Sequence, residues 1–83
     1  MSKSDAEVLT ELVAAFCTVI TETTRVIARQ SKGSISKHSI ALELQKVADK
    51  LPETTSIARA ILNNVALALE DQPVNPVVFS SNG

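Results

Sequence analysis

The chain contains no tryptophan, no tyrosine and only two phenylalanines among its 83 residues. A core or binding surface built on large aromatic anchors is therefore excluded. A single cysteine, Cys17, rules out an intrachain disulfide and any cysteine-rich zinc site, and points to a reducing, cytoplasmic setting. Charge of one sign is also lacking: the net charge is −1, which fits neither an acidic disordered segment nor a surface coated in base for nucleic acid. The longest runs without charge, Leu12 to Thr21 and Ala60 to Leu69, are about half the roughly 20 residues of a membrane-spanning helix, so no membrane association is expected. Asp5, Glu7 and Glu11 interrupt any signal-peptide pattern at the N-terminus.

Apolar residues nevertheless form 45% of the chain, supplied mainly by alanine, valine, isoleucine and leucine, and their spacing is helical. Ser4-Asp5-Ala6-Glu7 is a capping box, in which a serine accepts from the backbone three residues on while the glutamate reaches back. From there Leu9, Leu12, Val13, Phe16, Val19, Ile20, Val26 and Ile27 recur with a seven-residue period. This stripe is wider than a two-stranded coiled-coil seam and suits a helix in a bundle. Thr23 and Gln30 fall on it and soften its far end. Gly33, the only glycine before the terminal residue, is placed to take the left-handed position after this helix. A second helix starts near Ser36 or Ser39 and stops at Pro52, with Ile40, Leu44, Val47, Ala48 and Leu51 on one face. A third runs from Glu53 to about Asp71, where Gln72-Pro73 stops it, with Ile57, Ala58, Ile61, Leu62, Val65 and Leu69 apolar.

The expected fold is all-α: a long N-terminal helix plus a two-helix hairpin, bundle-like, over residues 1–72, followed by an extended tail over 73–83. The tail carries Val74, Val77, Val78 and Phe79, too apolar for a segment meant only for solvent, and fraying, docking on its own bundle and exchange with a neighbour all remain open to it. A first helix of roughly 40 Å is longer than a hairpin of helices of roughly 20 to 30 Å can cover. The eight stripe residues are accordingly the expected interface of a homo-oligomer, with another protein as the alternative partner.

One segment concentrates base. Side-chain charge is −3 over residues 1–24, +4 over 25–38 and −2 over 39–83. Arg25, Arg29 and Lys32 share a helix face, and Ser34, Ser36, Lys37 and His38 follow at the start of the next helix, where free backbone N–H groups favour anions. These seven residues are the candidate site for a small anionic ligand such as a nucleotide. The ordinary reading is that bases in a last turn complement the helix dipole and serines cap the next helix.

Other chemistry finds little support. Cys17 and His38 are the only nucleophile or base of the catalytic kind, and neither has an evident orienting third group. No Walker A, GxGxxG, HExxH or paired-cysteine pattern occurs, so no cofactor, metal or catalysis is expected. The Leu51-Pro52-Glu53-Thr54-Thr55 stretch resembles the sortase sorting signal, but threonine stands where that signal needs glycine. A helix-turn-helix reading around Pro52 leaves the third helix with Arg59 as its only base, which makes DNA an unlikely partner. From Ser39-Ile40-Ala41-Leu42 onward the chain is faintly similar to the helical hairpin of small phage proteins that sequester cyclic nucleotides, without that hairpin's flanking Pro-Gly-Arg-Glu and aromatic residues; no family is assigned. The expectation is a small non-catalytic regulator, inhibitor or adaptor that works through a helical surface.

Overall fold

A computed structural model describes residues 4–79; residues 1–3 of the expected helical domain and 80–83 of the expected tail lie outside the described residues. Three α-helices account for the ordered secondary structure: α1 (Asp5–Gln30), α2 (Lys37–Lys50) and α3 (Ser56–Leu69), with a 3-10 turn at Glu53–Thr55 leading into α3. No strand occurs among the described residues.

The boundaries follow from local chemistry. Ser4 caps α1 by accepting from the Glu7 N–H at 3.2 Å, and its hydroxyl donates to the Glu7 carboxylate at 3.2 Å. Ser36 caps α2, accepting from Ser39 N–H. Leu51, forced into extended backbone by Pro52, ends α2. The 3-10 turn takes up the first three residues of the expected third helix, with Thr55 bonded to the Pro52 carbonyl through both its N–H and its hydroxyl.

α3 ends in a Schellman motif. Gln72 N–H donates to Leu67 O at 2.9 Å, Asp71 N–H to Ala68 O at 3.1 Å, and Asp71 takes the left-handed position with φ 57°. The end of α1 is similar, with Lys32 at φ 54° and Gly33 at φ 94°. The left-handed residue directly after the cap is thus Lys32, one position before the expected glycine.

α3 lies between the other two helices, packing closely on α2 and along α1, while α1 and α2 barely meet. The core is Ala41, Val65, Ala66 and Leu69, against which Cys17, Ile40, Leu44 and Ile61 pack; Leu69 and Val65 are the largest side chains that are fully buried. Alanine at these crossings lets helix axes approach closely but fills little volume. The radius of gyration, 14.4 Å, exceeds the roughly 12 Å of a compact chain this long. The molecule is open and elongated, 47 × 31 × 17 Å.

Residues 73–79 dock on the helices. Asn64, on α3, donates from Nδ2 to Asn75 O at 2.7 Å and accepts from Asn75 N–H at 2.9 Å, and Phe79 N–H donates to Thr10 Oγ1 at 3.0 Å. Of the three fates open to the tail, the described part takes that of a strap over its own helices.

The backbone at the α1–α2 connection yields a prediction. Lysine in the left-handed region is strained by about 1 kcal/mol or more, so Lys32→Gly is expected to stabilise the chain by about 0.5 kcal/mol after the added freedom of the unfolded state is deducted. Gly33→Ala meets no atom within 4 Å yet is expected to destabilise by about 1 kcal/mol, because only its backbone conformation is at issue. Urea unfolding of the two variants measures both signs.

Candidate functional site

Helix α1 has three distinct strips. Its inner strip is Ala6, Thr10, Val13, Cys17, Thr21, Thr24 and Ala28, all wholly or partly buried and all small or medium-sized. Its large apolar side chains point elsewhere: Val8, Leu9, Leu12, Phe16, Val19, Ile20, Val26 and Ile27 are all exposed, Phe16 at 58% and Val19 at 62%. At about 100° per residue the two strips are centred roughly 120° apart around the helix. The third strip carries Glu7, Glu11, Glu22, Arg25 and Arg29, so no charged residue interrupts the apolar strip from Val8 to Ile27.

Seven of the eight residues expected to form an interface therefore lie together on one open face. The exception is Val13, which is 8% exposed and turned inward with Cys17 and Thr21. α3 covers the Ala/Thr/Cys strip and leaves the leucine and isoleucine stripe bare, because only small side chains allow the close approach that its own Ala66 and Val65 make possible.

The basic connection meets acids that come from the far end of α3. Arg25 donates from Nη2 to Ala68 O at 2.6 Å and to Asp71 Oδ1 at 3.2 Å, and from Nη1 to Glu22 Oε1 at 3.1 Å. Lys37 Nζ lies 3.3 Å from Asp71 Oδ2, and His38 Nδ1 lies 2.6 Å from Glu70 Oε1. Ser34 donates to the Ser31 carbonyl, and Ser36 is engaged as the cap of α2. Arg29 and Lys32 have no acid partner among the described residues. Arg25, Arg29, Ser36 and Lys37 border one open hollow, whereas Lys32, Ser34 and His38 do not. Three of the five positively charged or basic candidates are thus held by Glu22, Glu70 and Asp71. Glu70 and Asp71 were visible only as the acids before the Gln72-Pro73 stop; nothing in their spacing announced residues 32 to 46 positions earlier as partners.

Cys17 is half-buried against the Ala41, Val65, Ala66 and Leu69 core, and burial pushes its thiol pKa above the ordinary value. It is a protonated, weakly reactive thiol at neutral pH. His38 sits on the surface beside Glu70, so the two residues are not brought into a catalytic pair. No group of three metal-ligating side chains converges among the described residues, and no helix there is long and apolar enough to cross a membrane.

The Asp71 junction is open to direct measurement. Asparagine tolerates the left-handed backbone as well as aspartate does, so Asp71→Asn removes only charge. A loss of about 0.5 to 1 kcal/mol is expected, since Asp71 itself is 70% exposed and solvent screens the pairs, and the loss should shrink at high salt. No family model, no curated protein and no solved structure matches the chain.

Proposed function

We propose that the chain is a non-catalytic helical interaction protein that self-associates through the exposed apolar strip of α1, forming a two-fold dimer with the two α1 helices antiparallel. The observation that carries this reading is the strip itself: eight large apolar side chains, all exposed, with no charge among them over about 29 Å of helix. Their combined exposed area is on the order of 600 Å², at the top of what monomers commonly present and near the roughly 800 Å² per partner of a stable complex.

A second copy is the occupant that the charges favour. Between Asp5 and Glu22, α1 carries acids and no base; from Arg25 to Lys32 the chain carries bases and no acid. Antiparallel pairing sets each acidic half beside a basic half and opposes the helix dipoles favourably. With the two-fold axis near Thr18, Phe16 meets Ile20 and Leu9 meets Ile27, so four residues of the strip face residues of the same strip on the second copy. Such a face is self-complementary, as a two-fold interface requires. The extended shape of the single chain also fits a protomer that completes its core on a neighbour.

Light scattering after size-exclusion chromatography tests this over micromolar concentrations. The wild type is expected to be a dimer. Phe16→Asp and Ile20→Asp place a charge in the paired strip and are expected to weaken the dimer about a thousandfold or more. Because both side chains are exposed in the single chain, the variants should keep their helical circular dichroism. Leu42→Asp, on the exposed part of α2, should leave the dimer intact. A monomeric wild type overturns the reading, as does a dimer that Leu42→Asp breaks and Phe16→Asp does not.

A further inference from the structure

Between α1, α3 and the strap of residues 74–77 lies a pocket of about 280 Å³. Its floor is the small inner strip of α1, from Thr10 to Thr21; Asn64 and Ala68 form one wall, Val74, Pro76 and Val77 the roof, and Arg25 and Glu22 one end. The volume is just below the roughly 300 to 1,000 Å³ typical of ligand pockets, and the lining is mainly apolar.

One polar group of the lining is free. Thr21 is only 4% exposed, and its hydroxyl makes no hydrogen bond among the described residues, whereas Thr10 and Thr18 on the same helix donate to the carbonyls four residues back. Arg25, at the end of the pocket, is already held by Glu22, Ala68 and Asp71, and its Nε is closed to solvent and so to a ligand oxygen. A hydroxyl without an internal partner can donate to a molecule beside it.

We infer that this pocket binds a small, neutral, mainly apolar molecule carrying one carbonyl or ether oxygen, which accepts from the Thr21 hydroxyl. Neutrality follows from the charges already present. Arg25 and Lys37 stand against Glu22 and Asp71, so the local charge is balanced and an entering carboxylate or phosphate would add an unpaired negative charge. The apolar body rests on Val13, Ala14, Val74 and Val77. Entry is under the strap, which is held by the Asn64–Asn75 pair and the Phe79–Thr10 bond and by no secondary structure.

The test uses the full chain and three probes of similar size: 1-indanone, which carries a carbonyl; indane, which does not; and octanoate, which is charged. The Thr21 backbone N–H resonance is followed by NMR, and the alkylation rate of Cys17, which also lines the pocket, is measured in parallel. Indanone is expected to shift the Thr21 signal and slow the alkylation, while indane binds about tenfold or more weakly and octanoate does not compete. Thr21→Val keeps the shape and removes the hydroxyl, so it should weaken indanone about tenfold and leave indane unchanged. Ala14→Leu, at an exposed position on the pocket rim, should block both neutral probes without unfolding the chain. Equal affinity for indane and indanone, tighter binding of octanoate, or no response of Thr21 to any probe would overturn the inference.

Discussion

α3 has to serve two neighbours that hardly touch each other, and it does so with alanine. Ala41 and Ala48 of α2 and Ala66 of α3 are at most 1% exposed, and the strip of α1 facing α3 consists of alanine, threonine, valine and cysteine. Small side chains permit close helix approach and cost little side-chain entropy on burial. They also bury little apolar area each, so the hydrophobic contribution of this core is modest. The large apolar residues of α1 other than Val13 find no room inside. Their exposure on α1 is a consequence of how α3 packs.

A core this thin depends on its ends. The last turn of α3 gathers Arg25 from α1 and Lys37 and His38 from α2 onto Ala68, Glu70 and Asp71. Glycine is the usual residue at the left-handed position after a helix, and aspartate there accepts some backbone strain. The carboxylate it brings touches two cations from two different helices, which glycine would not. Arg25 adds a bond to the Ala68 carbonyl, one of the acceptors that a helix C-terminus leaves exposed. At the opposite edge, Asn64 imitates a backbone pairing partner for Asn75 and fastens the strap. Arg25 thus ties α1 to α3, Lys37 and His38 tie α2 to α3, and Asn64 ties the strap to α3.

Much of this architecture was legible in the sequence, because it rests on neighbours in the chain. Ser4 and Glu7, Ser36, Pro52, and Gln72-Pro73 set the helix ends within a few residues of where they occur. What the pattern left unassigned was the inward face of α1. The stripe was read as an interface, and of that set Val13 alone turns inward, while the threonines and alanines between the leucines form the contact with α3. Hydrophobic periodicity locates an apolar strip but does not say whether its own chain covers it. The acids that meet the basic segment were equally hidden, since Glu70 and Asp71 reach it through tertiary folding alone. Asn64 gave no signal either: an asparagine on an apolar helix reads as a blemish until the strap arrives to use both halves of its amide.

The same small strip on α1 accounts for both candidate surfaces. A leucine in place of Cys17 or Thr21 would fill part of the space under the strap. Keeping the strip small holds α3 on one side, leaves a half-open pocket beneath Val74 and Val77, and leaves Phe16 and Val19 exposed. The two surfaces lie on different sides of the helix, roughly 120° apart, so occupation of the apolar strip does not bury the pocket. Arg25 stands beside both: its guanidinium fixes the end of α3 and closes one end of the pocket, and it directly precedes Val26 and Ile27 at the end of the exposed strip.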